Sequence, residues 1–139
     1  MPTVNKVPNE GEAYIATQIF KVSNTQLLLF TNSGLDDTVE YGDLTEPSTY
    51  GYARKTLDAS TWVVTADTGT GTTGAIASYV TQAFTPSGGN WTGVYGTAIV
   101  TTGGSPKILS ITIDVDAPLT INDGVSYTAT ISIPIGRLA

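Results

Sequence analysis

The chain has 139 residues, a length typical of one domain that buries its own core. Charged residues make up 13 % of it, against roughly 25 % in an average globular protein, and the net charge is −6. This balance argues against nucleic acid and membrane partners, and the absence of cysteine and histidine argues against disulfides, cysteine-bound zinc and histidine-based catalysis.

The first segment of the chain is polar. Residues 1–8 contain no apolar stretch of the kind a secretory signal needs, and no run in the sequence approaches the length of a membrane helix. We therefore expect synthesis in the cytoplasm, with residues 1–8 as an N-terminal arm and residues 9–139 as a single domain.

One short helix is predicted directly after the arm. Asn9 stands at a capping position and Glu12 follows three residues later, as in a capping box. Ile15 and Ile19 are one helical turn apart. A strand over residues 13–20 is the alternative, because Gly11 weakens a first helical turn.

Seven or eight short strands are predicted in the rest of the chain, which is rich in threonine, glycine and proline. Turn signals separate them, with a polar loop over 33–48 and a glycine-rich flexible link over 68–74. The pattern predicts an all-β fold, a β-sandwich or a jelly roll. The predicted strands cover residues 25–32, 49–58, 60–67, 75–85, 94–101, 107–115 and 126–134.

Side-chain alternation assigns faces to some of these strands. In the last strand, Tyr127, Ala129, Ile131 and Ile133 are predicted to point inward, and the intervening Thr and Ser residues outward. Tyr50, Tyr52 and Arg54 are predicted to share one face at period two. Trp62 begins an apolar strand and is predicted to be buried.

Acidic side chains offer most of the remaining chemistry. Paired carboxylates can serve a glycosidase, and oxygen ligands can hold Ca²⁺. The simpler interpretation is solvated loops of an acidic protein, and the glycine-rich segments lack the helix and lysine of a phosphate loop. We predict no enzyme, no cofactor and no metal. The residues considered are Asp36, Asp37, Glu40, Asp43, Glu46, Asp114, Asp116, Asn122 and Asp123.

Several stretches together resemble small structural proteins of tailed bacteriophages. They are "VEYGDLTE" at residues 39–46, "YGY" at 50–52, "VYG" at 94–96 and "APLTINDG" at 117–124. The resemblance covers most of the chain as a pattern of turns and strand residues. It implies a component of the virus particle.

The resemblance implies a capsid decoration (cement) protein, with the major capsid protein as its partner. Such a protein would bind the outside of the capsid lattice as a homotrimer and stabilise the assembled head. The alternative is a tail, fibre or baseplate component that binds a receptor or glycan through exposed aromatic residues. The predicted partner-binding residues are Met1, Pro2, Thr3, Val4, Asn5, Tyr50, Tyr52 and Trp91.

Overall fold

The computed structural model describes residues 7–66 and 73–136. Within these ranges it contains one α-helix, one turn of 3₁₀ helix at Tyr41–Asp43 and nine β-strands, so the chain is mostly β as predicted. The elements are α1 (Asn9–Phe20), β1 (Thr25–Phe30), β2 (Lys55–Leu57), β3 (Val63–Ala66), β4 (Thr73–Phe84), β5 (Trp91–Val94), β6 (Gly96–Thr101), β7 (Ile108–Ile113), β8 (Leu119–Ile121) and β9 (Tyr127–Gly136).

The strands form three antiparallel sheets. The first has four strands in the order β2-β1-β6-β7, the second has three in the order β3-β4-β9, and the third pairs β5 with β8. β6 and β7 form a hairpin, and the sequence "TTGGSP" at residues 101–106 predicts a turn between them. No helix in the described residues is long and apolar enough to cross a membrane.

The predicted helix is confirmed, but its predicted cap is wrong. Pro8 is the N-cap residue, and its carbonyl accepts the first helical hydrogen bond from the Glu12 N–H at 3.0 Å. Asn9 is already the first helical residue. Proline fits this place because its extended backbone lets the chain enter the helix and the missing N–H costs nothing there.

The main core receives side chains from α1 and from all three sheets. Phe20 of the helix lies 4.5 Å from Trp62, measured between ring centroids. Leu29, Ile99 and Ile131 from the sheets belong to the same buried cluster. Trp62 is 1 % exposed, which confirms its predicted burial.

β1 is buried on both faces, as its continuous apolar run predicts. Leu27 and Leu29 face the main core, whereas Leu28 and Phe30 face a second, smaller cluster. That cluster is covered by Leu35, Tyr41 and Leu44, which come from the polar loop between β1 and β2. The loop is therefore packed against the four-stranded sheet and covers its second cluster.

Two strand predictions are wrong in extent. Residues 50–54 are not a strand: Tyr50 has a φ of 55°, in the left-handed region, and only Lys55–Leu57 pair with β1. The strand predicted over 94–101 begins earlier and is divided at Tyr95. β5 pairs with β8, whereas β6 pairs with β1 and β7, so the chain changes sheet at this residue.

Gly96, the first residue after this change of sheet, lies against the backbone of β7. A Cβ atom on Gly96 would lie 1.9 Å from the Thr112 carbonyl oxygen, so any other residue would push β7 away. The division at Tyr95 and the short β8 raise the strand number to nine, above the predicted seven or eight. Residues 68–72 of the predicted flexible link lie outside the described residues, and Thr73 and Gly74 begin β4.

Candidate docking surfaces

The outer face of the β3-β4-β9 sheet carries no charged side chain among the residues that the structure describes. The cross-strand pairs Val63↔Ser78, Ile76↔Pro134 and Ser78↔Ser132 place these side chains on one face. We call it the uncharged face. Its residues are Val63, Thr65, Ile76, Ser78, Val80, Ala83, Thr128, Thr130, Ser132 and Pro134.

Large apolar side chains are exposed on the uncharged face. Val63 is 56 % exposed, Ile76 42 % and Val80 61 %. A shift in register between Tyr79 and Gln82 interrupts the β4–β9 pairing beside Val80. The remaining positions are Thr and Ser together with Ala83 and Pro134, so the surface is apolar and hydroxyl-bearing in a protein of net charge −6.

The sequence predicts only part of this face. The outward Thr128, Thr130 and Ser132 of β9 are confirmed by their exposure. In β4, the small residues Ala75 and Ala77 point inward and are fully buried. The alanines leave room for α1 and Trp62 above β4, and this places the larger Ile76 and Val80 outside.

Three loops meet around Tyr50. The Ser87 N–H donates to the Tyr50 carbonyl at 2.9 Å, and the Gly88 N–H donates to the Asp123 carboxylate at 2.9 Å. The Tyr50 ring lies on Gly89, where a Cβ would sit 2.4 Å from the ring. Tyr50 itself is 45 % exposed, and its positive φ is costly for a bulky residue.

The three aromatic residues predicted to bind a partner are near one another but differ in exposure. Trp91 is 3 % exposed, and its indole N–H donates to the Thr49 carbonyl at 2.8 Å. Tyr52 is half-buried, with its ring 5.6 Å from that of Trp91 and 6.2 Å from that of Phe84. The premise of an exposed Trp91 is therefore wrong, and only Tyr50 offers an open aromatic surface here.

The common face predicted for Tyr50, Tyr52 and Arg54 is wrong for Tyr50, which lies in a turn against Gly89. Tyr52 and Arg54 do come together, in a polar cluster around Glu46. Arg54 donates to both Glu46 oxygens, at 3.0 and 2.7 Å, and to the Tyr41 hydroxyl at 2.9 Å. The Tyr52 hydroxyl donates to Glu46 at 2.7 Å and accepts the Leu29 N–H at 3.0 Å. The cluster ties the loop that contains Tyr41 and Glu46 to β1.

Electrostatics in this cluster keep the Arg54 guanidinium charged and the Tyr52 hydroxyl protonated. The hydrogen bond from Arg54 to Glu46 raises the pKa of the guanidinium, and burial, followed by the bond to Glu46, raises the pKa of the Tyr52 hydroxyl. Neither group is poised for proton transfer near neutral pH. The cluster is built to hold the loop.

The other acidic residues also serve as local acceptors. Asp36 accepts the Thr38 N–H and hydroxyl, Asp43 accepts the Glu40 N–H, and Asp114 accepts the Asp116 N–H and the Tyr127 hydroxyl. Among the described residues, no three acidic side chains gather in a way that could hold a metal ion. These bonds fit the interpretation of the acidic residues as loop and turn formers.

The predicted partner-binding residues Met1, Pro2, Thr3, Val4 and Asn5 lie outside the described residues, and their role stays a prediction. Comparison with known protein families, curated protein sequences and solved structures finds no match.

Proposed function

We propose that the protein is a decoration (cement) protein of a tailed-bacteriophage capsid, which binds the outside of the major capsid lattice and stabilises the assembled head. The uncharged face is the observation that supports this best. Burying Val63, Ile76 and Val80 against another protein gains from the hydrophobic effect, and the Thr and Ser hydroxyls carry no charge to desolvate. An acidic protein is also better placed outside the shell than against packed DNA.

The proposed architecture is a β-sandwich. It is supported by the shared core, to which β1 and β6 contribute from one sheet and β4 and β9 from another. A sandwich of this kind holds the outer faces of its sheets rigid, so the uncharged face is ready to bind without first being ordered.

The size of the uncharged face supports attachment as an oligomer. It spans three strands and roughly 20 Å along β4, which gives on the order of 300 Å². A stable protein interface buries about 800 Å² on each partner. One copy is therefore too small for firm attachment through this face alone, and three linked copies reach the required area. We propose a homotrimer, in which binding of one subunit raises the effective concentration of the others.

The proposed stabilisation acts by mass action. A ligand that binds the assembled shell and not the free subunits stabilises the shell, by RT ln(1 + [L]/Kd). Because the face carries no charge, attachment should depend only weakly on salt concentration. The N-terminal arm is a further proposed contact, and its test is deletion of residues 1–6, which keeps the helix cap at Pro8.

The location of the protein on the particle tests the proposal. Electron microscopy of particles that carry labelled protein should show the label across the whole shell. Label found only at the tail would overturn the proposal.

Two matched variants test the role of the face itself. Val80→Lys places a charge on the uncharged face and should weaken attachment to particles. Val115→Lys makes the same change at a side chain that is 96 % exposed and lies outside the face, so attachment should be unchanged. Equal attachment of both variants would show that another surface binds the shell.

A tail component that binds a glycan is the second candidate, favoured by one observation. Tyr50 is exposed on a turn held in a costly conformation, as is common where a loop has a function. Binding to a glycan array that disappears in Tyr50→Ala and persists in Val115→Lys would favour this candidate.

A further inference from the structure

β7 is an edge strand whose pairing in the described part of the chain is limited to β6. The Asp114 N–H donates to the Tyr95 carbonyl at 2.8 Å, which fixes the side of the strand that faces its neighbour. Since alternate residues of a strand point their backbone groups to opposite sides, the N–H and C=O groups of Ile111 and Ile113 point away from β6. They form an open edge.

A groove of about 420 Å³ lies beside this edge. One wall is β7 and the other is the start of the loop that covers the smaller core cluster. Its apolar lining comes from Leu35 and Val39 of the loop and from Ile108, Ile111 and Ile113 of β7. Ile113 is 51 % exposed. A second hollow continues the groove past Val39 and Ile108.

The rim of the groove is acidic. Asp36 and Asp37 line the first hollow, and Glu40 lines the second, where Lys107 is also present. Hydrogen bonds from Thr38 lower the pKa of Asp36, so its carboxylate stays charged well below neutral pH. The groove thus combines an apolar floor, an open strand edge and a rim with more negative than positive side chains.

We propose that this groove binds an extended, basic segment of a partner protein, which pairs with β7 as an additional strand. The open backbone groups supply hydrogen bonds, the apolar floor takes alternate side chains, and the acidic rim takes lysine or arginine. A second copy of this chain fits less well, because pairing two β7 edges would bring two acidic rims together. The groove shares no residue with the uncharged face, and binding there does not depend on capsid attachment.

Short synthetic peptides test the proposal on the isolated protein. A peptide that alternates valine with lysine should shift the backbone amide NMR signals of residues 107–114 and 35–40. A peptide that alternates valine with glutamate should bind at least about tenfold more weakly, since its charges face the acidic rim. Absence of binding, equal binding of both peptides, or shifts centred on another strand would overturn the proposal.

Substitutions in the protein test separately how the open edge of β7 and the acidic rim contribute to peptide binding. Ile113→Pro removes an N–H that points away from β6, so it should block the added strand and leave the β6–β7 ladder in place. Asp37→Lys should weaken lysine-peptide binding about threefold or more, whereas Asp58→Lys, the same change outside the groove, should leave it unchanged. If Ile113→Pro does not fold, the affinities of Asp37→Lys and Asp58→Lys for the lysine peptide are compared instead, and their difference tests the proposal. Equal affinity in those two variants would contradict the proposal.

Discussion

At the scale of single residues, the two tryptophans occupy the same core with different polar surroundings. Trp62 packs against Phe20 and Tyr79, and its buried indole N–H has no acceptor among the described residues. Trp91 donates its N–H to the Thr49 carbonyl. Trp62 contributes packing, whereas Trp91 contributes packing and a hydrogen bond that holds the loop at Thr49. Substitutions at the two positions should separate these contributions to stability.

Trp62→Ala should lower the free energy of unfolding by roughly 3–5 kcal/mol, because it opens a cavity in the main core. Trp62→Phe removes no hydrogen bond and should cost less than Trp91→Phe, which leaves the Thr49 carbonyl without its buried donor. Denaturant unfolding of the three variants measures this. A loss below about 1 kcal/mol for Trp62→Ala would contradict its place in the core.

Stability should fall in alkaline solution because of buried tyrosines. Burial and the charge of Asp114 raise the pKa of Tyr127 from its ordinary value of 10.0 to about 12, and burial also raises the pKa of Tyr52. A raised folded-state pKa means that the native state holds the proton more tightly than the unfolded state does. The stability that the protonated Tyr127 hydroxyl contributes is therefore complete below pH 10. It is lost as the pH rises from about 10 to about 12.

Unfolding free energies measured at pH 9 and pH 11 test this on the wild type and on Tyr127→Phe, which cannot ionise at that position. The fall in stability should be smaller in the variant. An identical fall in both proteins would exclude Tyr127 as a cause.

At the scale of elements, local signals predict α1, β1 and β9 correctly. The continuous apolar run of β1 and the strict alternation of β9 reflect how many faces each strand buries. Two features depend on distant contacts instead. Tyr50 leaves the extended conformation because its carbonyl accepts a hydrogen bond from the Ser87 N–H. The alanines of β4 point inward because α1 packs against that face of the strand. No local pattern contains that information.

The loop between β1 and β2 should be held mainly by Arg54. Arg54→Met removes the ion pair to Glu46 and the hydrogen bond to Tyr41. Because the pair is partly exposed, its loss should lower the free energy of unfolding by about 1–2 kcal/mol. Hydrogen exchange of the amides of residues 41–46 should become faster. Arg54→Lys keeps the charge but not the two-pronged bond, so it should fall between wild type and Arg54→Met. Unchanged exchange in Arg54→Met would show that the apolar contacts of Leu35, Tyr41 and Leu44 suffice.

At the scale of the whole molecule, the surfaces proposed for binding arise from strand order. The sequence predicts an outward Thr and Ser face for β9, but the pairing of β9 with β4 and of β4 with β3 creates the uncharged face. The groove arises in the same way, from a loop near the start of the chain that lies beside β7. Residues far apart in sequence build both surfaces, so composition indicates their character and the fold determines their position.

The proposed cement function predicts a property of particles that the isolated protein cannot show. The most direct measurement is the temperature at which the capsid opens and releases its DNA, compared between particles with and without the protein. Particles without it should open at a lower temperature, and added wild-type protein should restore the higher value, whereas Val80→Lys should not. Particles that are equally robust without the protein but fail to adsorb to cells would contradict the cement function and favour a receptor-binding component.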